Sequence, residues 1–332
     1  MNSFGRIFRV HIFGESHGES VGIVIDGCPA GLSLSEEDLL PDLERRKGGK
    51  QKGTTPRQEA DYPFFKSGVF NGKTTGAPIT ILFENNNTRS GDYEKQRSFP
   101  RPGHADMVAH QKYGGNEDYR GGGHFSARLT TGLVAAGAIA KKLMPGVNIA
   151  AAVTEIGGET DLEKGLQKAI DAKDSIGGLV ECRVNGLPVG LGEPFFDSVE
   201  SQLAHIAFAI PAVKGVEFGS GFAAAKMFGT QHNDAIENME GKTRSNHAGG
   251  VVGGISNGNE LVYRIAIKPT ASTPKEQSSL NWETGQVENF SVKGRHDLCV
   301  ALRAPVILEA ATAVALVDLY LLEQHSKRVV SS

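Results

Sequence analysis

A chain of 332 residues with 35 Lys and Arg against 38 Asp and Glu, net charge −3, 39% hydrophobic and 22% charged, has the balance of a globular protein, not a disordered one. Near-neutral charge argues against a dedicated nucleic-acid binder. Three separated cysteines, Cys28, Cys182 and Cys299, exclude a disulfide framework and fit a reducing compartment.

Residues 6–13 and Ser20–Asp26 alternate as strands, the second running into a turn at Gly27, Cys28 and Pro29. Arg6, Arg9 and His11 stand where a signal peptide carries its apolar core, so a cytoplasmic location is expected. Ser35, with Asp38 three residues on, starts a helical stretch bearing Leu39, Leu40 and Leu43. Pro41 inside it should weaken or kink that helix. Residues 45–57 (RRKGGKQKGTTPR) are basic and glycine-rich and read as a loop. Strands follow at 64–70 and 79–83, then helices at 104–113 and 126–143. Ser126 is the cap candidate of the second, whose small-residue run LVAAGAIA marks a buried helix. Further strands are expected at 147–154, 178–184, Val213–Phe218 and Leu261–Ile267, with a helix at 199–210. An amphipathic helix at 305–324 closes the chain, Pro305 lying in its first turn. Its apolar part falls short of the roughly 18 residues a membrane span needs, interrupted by Glu309, Thr312 and Asp318. The order lacks the strict alternation of a doubly wound sheet. One interlocked α+β domain over residues 1–332 is expected.

Three familiar motifs almost occur. GESHG (14–18) fits a nucleophile elbow at Ser16 and so a serine hydrolase, but that motif needs a helix after it and a strand follows instead. SGVFNGKT (67–74) misses the P-loop spacing by one residue. GSGFAA (219–224) is a weak dinucleotide fingerprint, better explained as a tight turn.

Glycine is the outlier at 42 residues, and the excess stands in short polar islands that hold five of the ten histidines. These are His17 (GESHGES), His104 (RPGHAD), His124 (RGGGHFSAR), His247 (SNHAGG) and His296 (GRHD). Glycine lets backbone approach a ligand, and histidine titrates near neutrality. No pair has metal-ligand spacing, so no metal is expected. Arg45, Arg46, Lys47, Lys50, Lys52 and Arg57 form a run without an acid, and Arg101, Arg120, Arg128 and Arg295 sit inside the islands. The run lacks aromatics to stack bases. Arginine beside glycine and histidine suits a small, multiply charged anion instead. The residues alone therefore point to an anionic, phosphorylated substrate and histidine acid–base chemistry, without naming the reaction.

Three long patterns, GESHGESVGIVIDGCP (14–29), GHFSARLTTGLVAAGAI (123–139) and GRHDLCVALRAPVILEA (294–310), stand with PRPGHAD, DYRGGG, GLGEP, SNHAGG and KPTAS in order. On these the sequence resembles the chorismate synthase family over essentially its whole length. The resemblance implies an α+β sandwich, helices layered between antiparallel or mixed sheets, assembled as a homotetramer. It also implies the last shikimate-pathway step toward aromatic amino acids, a 1,4-elimination converting 5-enolpyruvylshikimate 3-phosphate to chorismate and phosphate. Reduced FMN (FMNH2) is required, without net redox change.

By the same resemblance His17 keeps the reduced flavin anionic, and His104 is the general acid at the leaving phosphate. Asp297, with Ser16, relays the proton accepted at flavin N5. FMN contacts fall on His124, Phe125 and Ser126, on Pro211 and Ala212, on Gly253, on Lys268, Pro269, Thr270, Ala271 and Ser272, and on Arg295. Substrate anions meet Arg46, Arg101 and Arg128, and a pair of NADP positions falls on Arg46 and Lys52. Relatives often carry arginines where Lys47 and Lys52 stand, arginine and serine in place of His124 and Phe125, and serine in place of Ala271. No reductase domain is visible, so an external flavin reductase is expected, with neither nucleic acid nor membrane as partner. The rivals are a serine hydrolase on GESHG and a non-catalytic FMN-binding protein.

Overall fold

Period-two alternation of β-branched residues builds the first sheet. The computed structural model describes residues 1–49, 52–55, 59–86, 98–292 and 296–325. In it β1 (Ser3–Phe4), β2 (Arg9–Gly14), β3 (Ser20–Asp26), β4 (Phe64–Ser67) and β5 (Ile79–Glu84) pair in the order β1-β2-β3-β5-β4. Register sets Val10 opposite Ile25 and Ile25 opposite Ile79, Ile23 opposite Ile81, and Val21 opposite Phe83, so one face is wholly apolar and buried.

The second sheet comprises β6 (Asn148–Ile156), β7 (Gly178–Asn185), β8 (Val213–Phe218) and β9 (Leu261–Ile267), in the order β8-β9-β7-β6. Its buried rows are Ile149–Val184–Leu261, Cys182–Tyr263 and Val180–Ile265. Both sheets are antiparallel throughout, so the parallel component that "mixed" allowed is absent among the described strands.

The described helices of seven or more residues are α1 (Leu40–Arg46), α2 (Asp106–Tyr113), α3 (Thr130–Leu143), α4 (Leu162–Ala172), α5 (Val199–Ala207) and α6 (Ala304–His325), of which α3 and α6 fill the space between the sheets. α3 packs on β3 and β5, α6 packs on α3, and α6 in turn meets β6, β7 and α5. The layers are therefore sheet, helix, helix, sheet. The small residues of α3 are what bring the two helix layers so close: a methyl group at Gly137 would run into Ala310.

Expectation and structure differ in places. Pro41 does not kink α1, because the stretch splits into a 3₁₀ turn (Glu36–Asp38) and a helix with proline in its first turn, where no N–H is needed. Ser35 N–H donates to Asp38 Oδ2 at 2.9 Å. Arg45 and Arg46 belong to α1 rather than to a loop. α4 and the hairpin Gln277–Leu280 with Val287–Phe290 stand outside the expected elements. α4 does carry its signal: Asp161 caps Lys164 N–H at 3.1 Å, and Leu166 and Ala169 face inward.

α6 is not amphipathic. It is buried on nearly all sides because helices and a sheet surround it. With the preceding 3₁₀ turn it is long and apolar enough to cross a membrane by length and composition, yet it is the core helix of this fold. The polar residues that interrupt it are buried and bonded. Glu309 takes both Arg45 Nη atoms at 2.7 Å and Ala151 N–H at 3.0 Å. Thr312 meets Tyr263 Oη at 2.6 Å. Asp318 accepts the backbone N–H groups of Arg6, Ile7 and Phe8 at 3.0, 2.7 and 2.8 Å, pinning the loop that leads into β2. Asp318→Ala orphans those donors, and a denaturant melt should show a loss of about 1–3 kcal/mol. An unchanged midpoint would mean that the loop is held by packing alone.

Candidate active site

The three motif fragments resolve into ordinary structure. GESHG is the turn between β2 and β3, with no helix after it, so the strand–turn–helix context of a nucleophile elbow is missing. SGVFNGKT forms a small hairpin, Val69–Phe70 against Lys73–Thr74. GSGFAA opens a 3₁₀ turn after β8.

Four of the five glycine–histidine islands converge, and the fifth lies apart, with His247 Nδ1 2.8 Å from Ser220 Oγ. The β2–β3 turn, the loop before α2, the Gly121–Gly123 segment, the entry to α3, the β9 exit and the segment before α6 surround one cavity of about 410 Å³, within the usual range for small-molecule sites. Gly121, Gly122 and Gly123 have φ of 59°, 82° and 50°, the left-handed region where a side chain is strained. A methyl group at Gly121 would also collide with the His17 ring. That glycine run lets the chain close over His17.

His17, His104, Asp297, Phe125, Ser126, Pro211, Ala212, Lys268, Thr270, Ala271, Ser272, Arg46, Arg101 and Arg128 line the cavity. Ser16 is fully buried behind it, its Oγ without a hydrogen-bond partner among the described residues. Four expected residues lie elsewhere. His124 is turned toward Gly14 O (2.8 Å) and Asn2 Oδ1 (3.1 Å). Lys52 Nζ reaches Gln167 on α4 at 3.3 Å. Gly253 occupies the turn of the hairpin Val251–Val252 with Ile255–Ser256, and Pro269 is not among the lining residues. Arg295, Lys50 and Arg57 lie outside the described residues.

The structure adds residues that the motifs did not single out. Asp61 is buried between two buried arginines, accepting Arg46 Nη1 at 3.1 Å on one oxygen and Arg128 Nη1 on the other. Arg46 also bonds Thr130 Oγ1 (3.0 Å) and Ala127 O (3.1 Å), and Arg128 bonds Asn85 Oδ1 (2.9 Å) and Glu84 O (3.1 Å). Most of their donors are thus spent inside the protein. Burial, with Arg303 and Arg128 nearby and Asp61 opposing, pushes Arg46 down to about 9, still cationic at neutral pH.

Arg303 joins the site from the turn before α6. It donates to Asp297 Oδ2 at 3.0 Å and to Arg46 O at 3.1 Å, while Asp297 Oδ1 accepts Thr55 N–H at 2.8 Å. Two non-glycine residues of the lining, Asp61 (φ 50°) and Ala212 (φ 73°), hold left-handed backbone. Strain of this kind costs of order 1–3 kcal/mol and concentrates at functional sites.

Arg101 holds Asp106 by Nε at 2.7 Å and Nη2 at 2.8 Å and reaches Ser272 Oγ at 3.0 Å. His104 Nδ1 lies 2.6 Å from Asp106 Oδ1. Burial would raise the Asp106 carboxyl, but hydrogen bonds from Arg101 and His104 and their charge outweigh it and hold it well below the usual range.

His296 is pushed down to about 4, chiefly by burial and then by the charge of Arg101. Between the ordinary histidine value, about 6.5, and that folded value, the unfolded chain binds a proton that the folded chain refuses. Stability therefore falls as pH drops through this window. His296→Gln should flatten that part of a pH series of melts. An unaltered slope would show that His296 is not held neutral.

Six cations (Arg46, Lys47, Arg101, Arg128, Lys268 and Arg303) face three carboxylates (Glu59, Asp61 and Asp297) around the cavity. This excess sits in a chain of net charge −3, so positive potential is focused where the histidines are. Among the described residues no cluster of three or more His, Cys, Asp or Glu could hold a metal ion. Acid–base chemistry on a small polyanion is what such a cavity supports, which places the protein among α+β enzymes of that type.

Comparison with known proteins narrows the class. Residues 8–321 match the family model for chorismate synthase. A chorismate synthase of Chitinophaga pinensis is 71% identical over 330 residues, 99% of each chain. One of Dehalococcoides mccartyi is 44% identical, again over 99% of each chain. A crystal structure of chorismate synthase superposes with a TM-score of 0.72 at 29% identity, covering 96% of this chain and 93% of the other. The chain belongs to the chorismate synthase family.

Proposed function

We propose that the cavity binds 5-enolpyruvylshikimate 3-phosphate beside reduced FMN and eliminates phosphate to leave chorismate, as a carbon–oxygen lyase. The observation that carries this is the convergence of His17, His104 and Asp297 on one cation-rich cavity. A substrate with a phosphate and two carboxylates needs that charge.

The residues also fit a flavin. Pro211, Ala212, Lys268, Thr270, Ala271 and Ser272 give the cavity a backbone-rich edge with one cation, and the buried Ser16 Oγ keeps an unused hydrogen bond. Held there, reduced FMN would supply electron density for loss of phosphate and for removal of the C6 proton. His104 protonates the departing phosphate, and Arg101 holds its charge. His17 guards the protonation state of the flavin edge, and Asp297 with Ser16 passes the C6 proton onward. Arg46 and Arg128, clamped on Asp61, shape the anion site more than they grip its contents. NADP at Arg46 and Lys52 gains no support from Lys52, which reaches Gln167 on α4, and we favour an external reductase.

The assembly is a homotetramer of single-domain chains in the cytoplasm. Large exposed side chains support self-association: Phe195, Phe196, Phe222, Phe228, Ile236 and Met239 are each at least 74% exposed. Titrating the protein with FMN while following flavin fluorescence tests the cofactor. NADPH as sole reductant tests the reductase, with no flavin reduction expected. Light scattering tests the tetramer.

A further inference from the structure

His104 stands in a wall between two cavities. The second, about 390 Å³, shares Arg101 and His104 with the first and adds Asp106, His110, Glu117 and Trp282. On that side His104 Nδ1 has two polar neighbours, Asp106 Oδ1 at 2.6 Å and Arg101 Nη2 at 3.0 Å. A guanidinium only donates and a carboxylate only accepts, so Nδ1 either gives a proton to Asp106 or takes a bond from Arg101.

The geometry decides between them. Arg101 Nη2 lies 3.0 Å from one ring nitrogen and 3.2 Å from the other, so it rests against the ring instead of pointing along either lone pair. It already has Asp106 Oδ1 as its own acceptor at 2.8 Å. The Asp106 contact is the shorter and is charge-assisted. Nδ1 therefore carries a proton, and Nε2 is the atom left to exchange one.

We propose that Asp106 is the positioning residue of this site: it fixes the His104 tautomer so that Nε2 serves the substrate, and it aligns Arg101 as the anion clamp. This rests on the reading of His104 as the acid for the leaving phosphate. One carboxylate sets both groups, because it also accepts Arg101 Nε and the Arg101 backbone N–H at 3.0 Å. Other titratable and charged groups facing the pair include His17, Lys268, His296 and Asp297 across the first cavity and His110, Glu117, Asp118 and Glu283 across the second.

Asp106→Asn replaces a pure acceptor with an amide that also donates, which frees the ring to turn. Its kcat should fall about tenfold or more, as when the carboxylate partner of a catalytic histidine is lost, and Asp106→Glu should recover most of it. In a His104→Ala background the same Asp106→Asn change should lower kcat by clearly less than it does with His104 present, the remainder being its effect on Arg101. Full kcat in Asp106→Asn, or an equal loss in both backgrounds, overturns the proposal. A second readout needs neither flavin nor substrate. Nitrogen-15 NMR of labelled histidine should show the Nδ1–H form of neutral His104 in the unmodified protein and its loss in Asp106→Asn. An Nε2–H form in the unmodified protein overturns the proposal. If the unmodified protein releases no phosphate, the proposed function fails, while the NMR result still decides the tautomer.

Discussion

Replacing His104 by alanine should lower phosphate release about 10²- to 10⁴-fold, the range of a positioned general acid, and should leave the fold intact. His104 sits in the loop before α2 with its side chain partly exposed. Asp106 keeps Arg101 as a partner when the ring is gone. The cations of the cavity remain in place, so the loss should appear in kcat and not mainly in KM. His17→Ala belongs to the same range. Anaerobic single-turnover phosphate release, beside a melt to verify folding, measures both. Unchanged turnover in a folded variant would remove His104 or His17 from the mechanism.

Asp61→Asn should cost about 3–5 kcal/mol, the usual result of removing one member of a buried charge cluster. That is a large part of a typical total of about 5–15 kcal/mol. Asp61 is 4% exposed, and its partners Arg46 and Arg128 are 3% and 6% exposed. Neither arginine can escape to water, because each is also tied to backbone carbonyls. Asparagine tolerates the left-handed backbone at this position, so the substitution isolates the charge from the strain. A urea melt checks it. A loss below about 1 kcal/mol would mean that the arginines find other acceptors and that Asp61 is no keystone.

Much of this architecture could be read from residue order. Ser20–Asp26, Val213–Phe218 and Leu261–Ile267 were bounded correctly because alternation is strong there and turns flank each strand. α3 was legible from its small-residue run. The closing helix misled on one point, since Glu309 and Asp318 suggest a wet face. In the fold Glu309 and Asp318 are satisfied by groups remote in sequence, Arg45 and the N–H groups of residues 6–8. No local pattern encodes such partners.

The site divides along the same line. Glycine–histidine islands supply much of the cavity wall, so His17, His104 and Arg101 stood out. Asp61 and Arg303 did not, because an acid in QEAD and an arginine in ALRAP carry no local sign of what they will face. His124 stands in one of these islands, yet its ring turns to Gly14 and Asn2. Spacing places a residue near a site, and only packing decides which way it points.

The most direct measurement is anaerobic release of chorismate and phosphate from 5-enolpyruvylshikimate 3-phosphate, with FMN reduced by dithionite. The account predicts equal amounts of both products, formed only when reduced FMN is present. No product from a folded protein that binds FMN would contradict it, and the roles given to His17, His104 and Asp297 would fall with it.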